Sequence, residues 1–313
     1  MSRKNMVRAA LLAVCVASAA LAQGDNAAVN LAAHPGWVQI PGALVPPECV
    51  HQIPKGARVV VNGDTITGDV TLNGVSVGHY NPCSQAGIIT RPRNGRAPKL
   101  PAGNGWVESV QEQVPLGSGD NVDYVYGNWT VPTNPPANGG LIYLFNGTEP
   151  SNGQWILQPV LQYGSNGLFG GNYWVIASWL VGSNGYYFVS PAENVSPGDT
   201  IYGYTWITGV SGGTVYWEVY AYDATNGAGS WITAWTSGLQ WNWAYAGVLE
   251  AYNITSCSEF PGSDYTIFRD SAAYHGYPSY DPYANWSGQV WGYGGPSCGF
   301  YAAPFGSYAY LFY

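Results

Sequence analysis

The stretch "QWILQPVLQYG", residues 154–164, alternates like a β-strand but places two amides on one face. Successive side chains of a strand point to opposite faces, so Gln158 and Gln162 share a face with Ile156 and Val160. Strands of a sandwich core normally bury apolar residues there. A buried amide without partners costs roughly 1–3 kcal/mol, so these two glutamines must have a structural or functional reason.

Strand-like segments of this kind continue along most of the chain. They are rich in Tyr, Trp, Thr and Val, are separated by Gly, Asn and Pro turns, and show no long helical period. The clearest are residues 123–132, 140–147, 155–164, 172–182, 185–191, 199–209, 213–223, 230–237 and 243–254. Short strands at regular spacing indicate an all-β fold, either a sandwich or a barrel.

The first 22 residues have the pattern of a secretory signal peptide. A basic start with Arg3, Lys4 and Arg8 precedes an apolar run and a small-residue site, Ala20-Leu21-Ala22. The run is shorter than the roughly 18 apolar residues of a membrane-spanning helix. We therefore expect a secreted protein, extracellular or periplasmic.

Four cysteines remain after such a signal: Cys49, Cys83, Cys257 and Cys298. An exported chain with four cysteines is expected to form two disulfides, for which three connectivities exist. Proximity in sequence favours Cys49–Cys83 and Cys257–Cys298. None of the four lies in a CxxC pair, which argues against a zinc or redox site.

Two units are expected after the signal. Residues 23–100 form a pro-segment or small β-rich unit, and residues 101–313 form the main β domain with a C-terminal extension rich in Tyr and Gly. The segment "RPRNGRAPKLPAGNG", residues 91–105, joins them. It is either a plain linker or an exposed site where a pro-segment is cut from the mature domain.

Charge is unevenly distributed between these units. From residue 100 onward there are one basic and fourteen acidic residues, a formal charge of −13. Such a surface repels nucleic acid and anionic membranes, so neither is an expected partner. It suits an acidic working pH, at which many carboxyls are protonated, although an acidic coat for solubility explains the charge equally well.

Metal and serine chemistry are both disfavoured. The main domain has a single histidine, His275, and no His, Cys and carboxylate spacing of a known metal site, so no metal or cofactor is expected. "GVSGG", residues 209–213, matches a nucleophile motif on paper but lacks its strand–turn–helix setting. Ser211 is therefore predicted to lie in a hairpin turn.

Carboxylate chemistry remains, and Glu250 is the candidate. Strand alternation in residues 243–254 places it on one face with Ala244, Ala246, Val248 and Tyr252. Apolar surroundings raise the pKa of a carboxyl, and a proton-exchanging carboxyl near neutrality suits acid–base catalysis. The alternative is a strand-edge glutamate facing solvent. The Gln158 amide would complement Glu250 as a neutral donor to an oxyanion.

"WILQ", "VSPGDTI" and "VLEAY", in this order, resemble the glutamic peptidases known as eqolisins, over roughly residues 104–256. The resemblance implies a β-sandwich of concanavalin or jelly-roll type, a secreted acid protease made as a zymogen, polypeptide substrates and a monomer. It implies that Glu250 is the general base and then the acid, while Gln158 polarises the scissile carbonyl.

The resemblance also implies residues that contact the substrate: Trp106, Trp129, Gln162, Ser178 and Tyr252. Trp106 is the first candidate for the tryptophan beside the site and Trp129 the second. Gln162 and Ser178 stand where the family has acidic residues, and Ala251 replaces an aspartate. These departures thin the acidic shell and leave the substrate preference and pH optimum open.

Two other classes of function compete with a peptidase. A glycan-binding or glycan-hydrolysing sandwich would use the many exposed Trp and Tyr rings, and its second carboxyl would be Glu218. A retaining glycosidase needs its two carboxyls about 5–5.5 Å apart, so it would require Glu218 beside Glu250. The third class is a non-catalytic secreted binding protein, in which Gln158 is a buried amide with structural partners.

Overall fold

The N-terminal part of the chain is built from short strands. A computed structural model describes residues 31–63, 65–85, 87–93, 95–117, 120–283 and 285–313, so the predicted signal peptide lies outside the described residues. Two 3-10 helices, Leu31–Ala33 and Pro47–Cys49, accompany strands β1 (Val38–Ile40), β2 (Ala43–Val45), β3 (Val50–Gln52), β4 (Arg58–Asn62), β5 (Thr65–Leu72), β6 (Val75–His79) and β7 (Ile88–Ile89).

Within the described residues, the central part contains eleven strands, nine of which lie in the nine segments that the sequence predicted and two of which are additional. They are β8 (Gly105–Gln113), β9 (Val122–Thr130), β10 (Leu141–Pro150), β11 (Trp155–Tyr163), β12 (Trp174–Gly182), β13 (Tyr187–Val189), β14 (Glu193–Val195), β15 (Thr200–Ser211), β16 (Thr214–Asp223), β17 (Gly229–Ser237) and β18 (Trp241–Tyr252). Alternating aromatic and β-branched residues between turn residues account for this agreement.

The C-terminal part adds five strands and a third 3-10 helix, Cys257–Glu259. The strands are β19 (Tyr265–His275), β20 (Asp281–Tyr283), β21 (Ser287–Val290), β22 (Tyr301–Phe305) and β23 (Tyr308–Phe312). The described residues contain no α-helix. No helix within them is long and apolar enough to cross a membrane.

Two large sheets form the β-sandwich that was predicted. The first, called sheet I, has the order β21-β8-β18-β10-β11-β12-β13-β3, with β14 beside β12. The second, sheet II, has the order β22-β23-β19-β9-β15-β16-β17-β4-β5-β6, with β20 beside β19. Neighbouring strands are antiparallel except for the pairs β13–β3 and β17–β4.

A hydrophobic core fills the space between the two sheets. Sheet I contributes Ile142, Leu144 and Leu249, and sheet II contributes Val125 and Ile201, all of them buried. A second buried cluster lies on the other face of sheet I, beneath a small three-stranded sheet of order β1-β2-β7. This second cluster surrounds the candidate catalytic residues.

The N-terminal strands extend the main sheets. Strand β3 adds to β13 at one edge of sheet I, and β4 adds to β17 at an edge of sheet II, both through parallel pairing. The C-terminal strands also join these sheets, because β19 pairs with β9 and β21 pairs with β8. Both terminal parts therefore belong to the sandwich as strands added to it.

Disulfide pairing agrees with the prediction from sequence proximity. Cys49 is bonded to Cys83, and Cys257 is bonded to Cys298. Each disulfide lies wholly on one side of residues 91–105. The predicted turn at Ser211 is also confirmed, since Ser211 pairs with Thr214 across two glycines of positive φ that join β15 to β16.

Candidate active site

Gln158 lies in the middle of β11, on the outer face of sheet I, and its side chain is only 1% exposed. Ile156 and Val160 share its face, as the alternation predicted, and both belong to the cluster beneath the small sheet. Its amide nitrogen donates to the carbonyl of Pro41 at 3.5 Å, a long hydrogen bond. Its Oε1 has no partner among the described residues.

Glu250 lies on β18, which is separated from β11 by β10, and it is completely buried. Its cross-strand neighbours are Trp106 on β8 and Tyr143 on β10. The hydroxyl of Tyr252 donates to its Oε1. The alternative that Glu250 faces solvent at a strand edge is therefore wrong.

The predicted face of β18 is partly wrong, and a β-bulge is the reason. The pairing of β18 with β8 shifts register between Tyr245 and Gly247, so the alternation changes phase there. Ala244 and Ala246 consequently point into the core between the sheets. Only the residues after the bulge keep the predicted face with Glu250.

One peptide bond links the two candidate catalytic residues. Residues 41 and 42 form the turn between β1 and β2, with proline followed by a glycine at φ 80°. The N–H of Gly42 donates to Glu250, at 2.8 Å from Oε1 and 3.1 Å from Oε2. Because Gln158 donates to the carbonyl of Pro41, the Pro41–Gly42 amide is bound at its oxygen by Gln158 and at its nitrogen by Glu250.

The surroundings of Glu250 shift the pKa of its carboxyl close to neutral pH. Burial raises the pKa of Glu250 to about 7. The Tyr252 hydroxyl, the Gly42 N–H and the charge of Arg91 favour the ionised form and oppose part of this shift. The predicted direction is confirmed, and the carboxyl can gain or lose a proton near neutral pH.

Tyrosine and threonine hydroxyls fix the small sheet over the site. Tyr143 donates to the carbonyl of Gln39 at 2.6 Å, and Thr90 lies 2.5 Å from the Tyr252 hydroxyl. The Thr90 N–H also donates to the carbonyl of Gly42 at 2.9 Å. The turn at residues 41–42 is thus held by the hydrogen bonds that Gln158 and Thr90 donate to it and by the one that it donates to Glu250. Beside it, a groove of about 500 Å³ is lined in part by Tyr252 and Gln39.

A buried ion pair anchors the beginning of the linker. Arg91 donates through Nε to Glu149 at 3.0 Å, and Tyr245 donates to the other carboxylate oxygen at 2.6 Å. Arg91 is 1% exposed, so this residue is not part of an exposed linker. The chain reaches the surface only after it, because residues 95–97 are exposed.

Trp106 and Tyr252, two of the five expected substrate-contacting residues, are beside Glu250. Trp106 is buried, and its ring packs edge-on against Phe145 and Tyr245, at 5.7 and 5.2 Å between centroids. Its indole nitrogen has no regular hydrogen bond among the described residues, although its dipole favours the Glu250 carboxylate. In this arrangement Trp106 forms an apolar wall of the site.

Gln162 lies on the same face but serves the loop that follows β11. Its amide donates to the carbonyls of Gly164 at 2.8 Å and Phe169 at 3.2 Å. Its oxygen accepts from Asn166 at 3.1 Å. All of its hydrogen-bonding groups are therefore occupied within that loop, which gives the second amide of the opening stretch a structural reason.

Trp129 and Ser178 are not at the site, and both expectations are corrected. Trp129 is fully buried in the core between the sheets, with its ring 4.7 Å from that of Phe268. Ser178 points toward sheet II and donates to the carbonyl of Ser230 at 2.6 Å. Both side chains point toward the interior of the sandwich. Motif matching alone does not determine to which face of the sheet a residue points.

Glu218 does not accompany Glu250. It is half-buried on β16 of sheet II, while its neighbours Trp217 and Val219 point into the interior. Glu250 lies on the outer face of sheet I, so the two carboxyls are on opposite sides of the sandwich. A retaining glycosidase built on this pair is therefore excluded.

Sequence reasoning missed several residues that contact the candidate catalytic residues or anchor the segment over them. Pro41, Gly42 and Thr90 come from the N-terminal part, while Tyr143 and Glu149 come from β10. The available signal was the Pro-Gly pair between two short apolar runs, which predicts a turn. Nothing local indicates what that turn covers.

Comparison with known proteins gives matches among solved structures. No protein-family model matches the chain, and no curated protein matches it. It is similar to a crystal structure of scytalido-glutamic peptidase with a transition state analog inhibitor, with TM-score 0.47 and 14% identity, over 67% of this chain and 98% of that one. It is also similar to SCP-B of the eqolisin family in complex with the tripeptide Ala-Ile-His, with TM-score 0.42 and 14% identity, over 68% and 98%.

Among the residues that the structure describes, no group of three or more His, Cys, Asp and Glu side chains is arranged to hold a metal ion. The candidate site itself contains one carboxyl, one amide and the hydroxyls around them.

Proposed function

We propose that this chain is a secreted acid endopeptidase of the glutamic peptidase type, with Glu250 and Gln158 as its catalytic residues. The observation that carries the proposal is the Pro41–Gly42 amide, held by Gln158 at its oxygen and by Glu250 at its nitrogen. A substrate amide in the same place would have a donor at its carbonyl oxygen and a carboxyl at its leaving nitrogen.

The reaction needs one water and one proton-exchanging carboxyl. Release of the turn over Glu250 exposes the carboxyl to water, which brings its pKa back toward the ordinary value and allows it to ionise at acidic pH. Ionised Glu250 then takes a proton from a water molecule as the water oxygen attacks the carbonyl carbon. The Gln158 amide donates to the oxyanion of the tetrahedral intermediate, and as a neutral group it adds no like charge beside Glu250. Protonated Glu250 then gives its proton to the leaving nitrogen, the C–N bond breaks, and a carboxylic acid and an amine are released.

We further propose that residues 23–100 are an inhibitory pro-segment. In the resting chain the two oxygens of Glu250 accept from Gly42 and Tyr252, and the turn fills the space that an attacking water needs. Gln158 approaches Pro41 only at 3.5 Å. The turn therefore binds as a peptide does but lacks the tight oxyanion contact that cleavage requires.

The way the segment is attached supports its removal. Strands β3 and β4 add to sheet edges, so their departure leaves the central strands paired. The exposed residues 95–97 offer a cleavage position, and no disulfide crosses them. Release uncovers Glu250, Gln158 and Trp106 together.

The proposal is tested by expressing the full chain and assaying a denatured protein substrate between pH 2 and 7. Cleavage that resists pepstatin, and that is lost in Glu250→Gln and Gln158→Ala, is the expected result. Losing an oxyanion donor costs about 10²–10³ in rate, and losing the base costs about 10²–10⁴.

Glu218→Gln is the matched control, since it removes a half-buried carboxyl from the other sheet and should leave the rate unchanged. Mass spectrometry of the acid-treated protein should also reveal cleavage within residues 91–105. Folded, processed protein without activity across this pH range, or full activity in Gln158→Ala, would contradict the proposal.

A further inference from the structure

The solvent side of sheet II is covered by aromatic rings, far from the candidate active site. On four adjacent strands, β9, β15, β16 and β17, the outward positions are half-buried. The aromatic residues there, called the aromatic face below, are Tyr124, Tyr126, Tyr202, Tyr204, Trp206, Tyr216, Tyr220, Tyr222, Trp231 and Trp235. The alternate positions point into the core, so burial in the sandwich does not explain these rings.

Cross-strand register places these rings in rows. Tyr126, Tyr204, Tyr220 and Trp231 are direct neighbours on successive strands, with ring centroids 5.1, 6.2 and 5.7 Å apart. The row crosses three strand spacings, about 14 Å. A contiguous, partly exposed aromatic surface of this kind is typical of binding sites.

One end of the face is concave. A cavity of about 390 Å³ is lined by Tyr124, Tyr204, Trp206, Tyr274 and Tyr280. Tyr204 and Trp206 are set at 80° to each other, and Tyr124 and Tyr280 at 71°. The cavity thus has differently oriented aromatic walls, and its volume is in the range of small-ligand sites.

The polar groups around this cavity are neutral hydroxyls. All five lining residues are aromatic, so no charged side chain lines it. Burial raises the pKa of Tyr204 to about 12, which keeps its phenol protonated. The Tyr280 hydroxyl donates to the carbonyl of Ile207 at 3.2 Å. Among the described residues no hydrogen bond engages the hydroxyls of Tyr124, Tyr204 and Tyr274, so these three are available as donors and acceptors.

A neutral polysaccharide matches this combination. A hexose presents C–H groups on its ring faces, which pack on aromatic rings, and hydroxyls around its rim, which bond to phenols. Charged side chains surround the aromatic face without lining the cavity. Arg269 lies beside it on β19, Arg58 and Lys55 lie over Trp235 and Trp231 at the opposite edge, and the half-buried Glu218 is the cross-strand neighbour of Trp206. The cavity therefore offers no cation that could pair with an anionic ligand.

We propose that this cavity and the adjoining row bind a neutral polysaccharide chain, with one hexose in the cavity and the next residues along the aromatic face. The site lies on sheet II, whereas Glu250 lies on the outer face of sheet I. Glycan binding would therefore leave the peptidase site open and would hold the protein on a glycan-rich surface.

The experiment measures retention of the full chain at pH 7 on cellulose and chitin particles, and its retardation in native gels containing hydroxyethyl cellulose or laminarin. Wild type and Glu250→Gln should be retained alike, because the site does not use the catalytic carboxyl. Trp206→Ala and Tyr280→Ala should each weaken retention at least fivefold, and Tyr204→Phe, which keeps the ring, should weaken it less.

Tyr173→Ala is the matched control, since Tyr173 is 46% exposed in the connection between β11 and β12 of sheet I, and it should bind as wild type does. Tyr280 lies at the rim, 37% exposed, so its replacement keeps the test valid if Trp206→Ala fails to fold. The proposal is overturned if no polysaccharide retains wild type, or if retention survives both substitutions. It is equally overturned if the face instead binds a polyproline peptide or a second copy of the chain in sedimentation.

Discussion

Glu250 combines complete burial with a pKa near neutrality, and this combination has a measurable consequence for stability. Its pKa is raised in the folded state to about 7, from 4.5. The folded protein therefore holds a proton that the unfolded chain releases between these values. Its contribution to stability is fully present below pH 4.5 and is lost as the pH rises through about 7.

We expect Glu250→Gln to remove this dependence. Between pH 4 and pH 8 wild type should lose roughly 3 kcal/mol of unfolding free energy relative to the variant, since one pKa unit corresponds to about 1.4 kcal/mol. Urea unfolding of both proteins at several pH values measures the difference. A constant difference across this range would mean that Glu250 is not held near neutrality.

Glu108 provides a second residue of this kind and a useful comparison. Burial raises its pKa to about 8, and the backbone N–H of Tyr301 offsets only part of the shift. It lies outside the candidate site, on the part of β8 that pairs with β21. This is why a raised pKa by itself does not identify a catalytic carboxyl, and why the Pro41–Gly42 contact is the stronger observation.

At the scale of elements, the N-terminal strands are attached by complementary charge as well as by pairing. The segment before residue 100 contributes Arg91 to Glu149 and Lys55 to Glu193 of a strongly acidic main domain. The Arg91–Glu149 pair is the more important of the two, because the side chains of both residues are buried. Removing it leaves a buried carboxylate without its cation.

Arg91→Ala should therefore loosen the segment. Breaking a buried ion pair from one side costs about 3–5 kcal/mol. We expect acid processing of this variant to begin at a higher pH and to proceed faster than in wild type, as followed by gel electrophoresis over time. Val75→Ala, at a position of β6 in the same segment that is 66% exposed, is the control and should behave as wild type. Equal processing of all three proteins would contradict the anchoring role.

Strand positions could be predicted from the sequence because alternation and turn residues are local signals, and β9 to β18 follow them closely. Side-chain direction was less predictable. The bulge in β18 moved Ala244 and Ala246 to the other face, and Trp129 and Ser178 matched motifs while pointing into the core. A bulge depends on the partner strand, which no local pattern contains.

The candidate catalytic pair, Gln158 and Glu250, could be named from short motifs, but the Pro41–Gly42 turn that covers it could not. Gly42 reaches Glu250 across 208 positions of sequence. That contact depends on how three short strands pack on the outer face of sheet I. Similarly, the cavity that Tyr204 and Trp206 form with Tyr274 and Tyr280 emerged only from the assembled sheet.

At the scale of the whole molecule, the two disulfides divide the chain into independently crosslinked parts. Cys49–Cys83 lies before the linker and Cys257–Cys298 after it. After acid processing, the two parts should therefore separate in denaturing electrophoresis without reductant. A single band that splits only upon reduction would show a different connectivity.

The most direct test of the central claim is the hydrolysis rate of a fluorogenic peptide by acid-processed protein, compared among wild type, Glu250→Gln and Glu218→Gln. The account predicts that Glu250→Gln loses about 10²–10⁴ of kcat while Glu218→Gln keeps the wild-type rate. A rate that persists in Glu250→Gln, or one that falls only in Glu218→Gln, would contradict it.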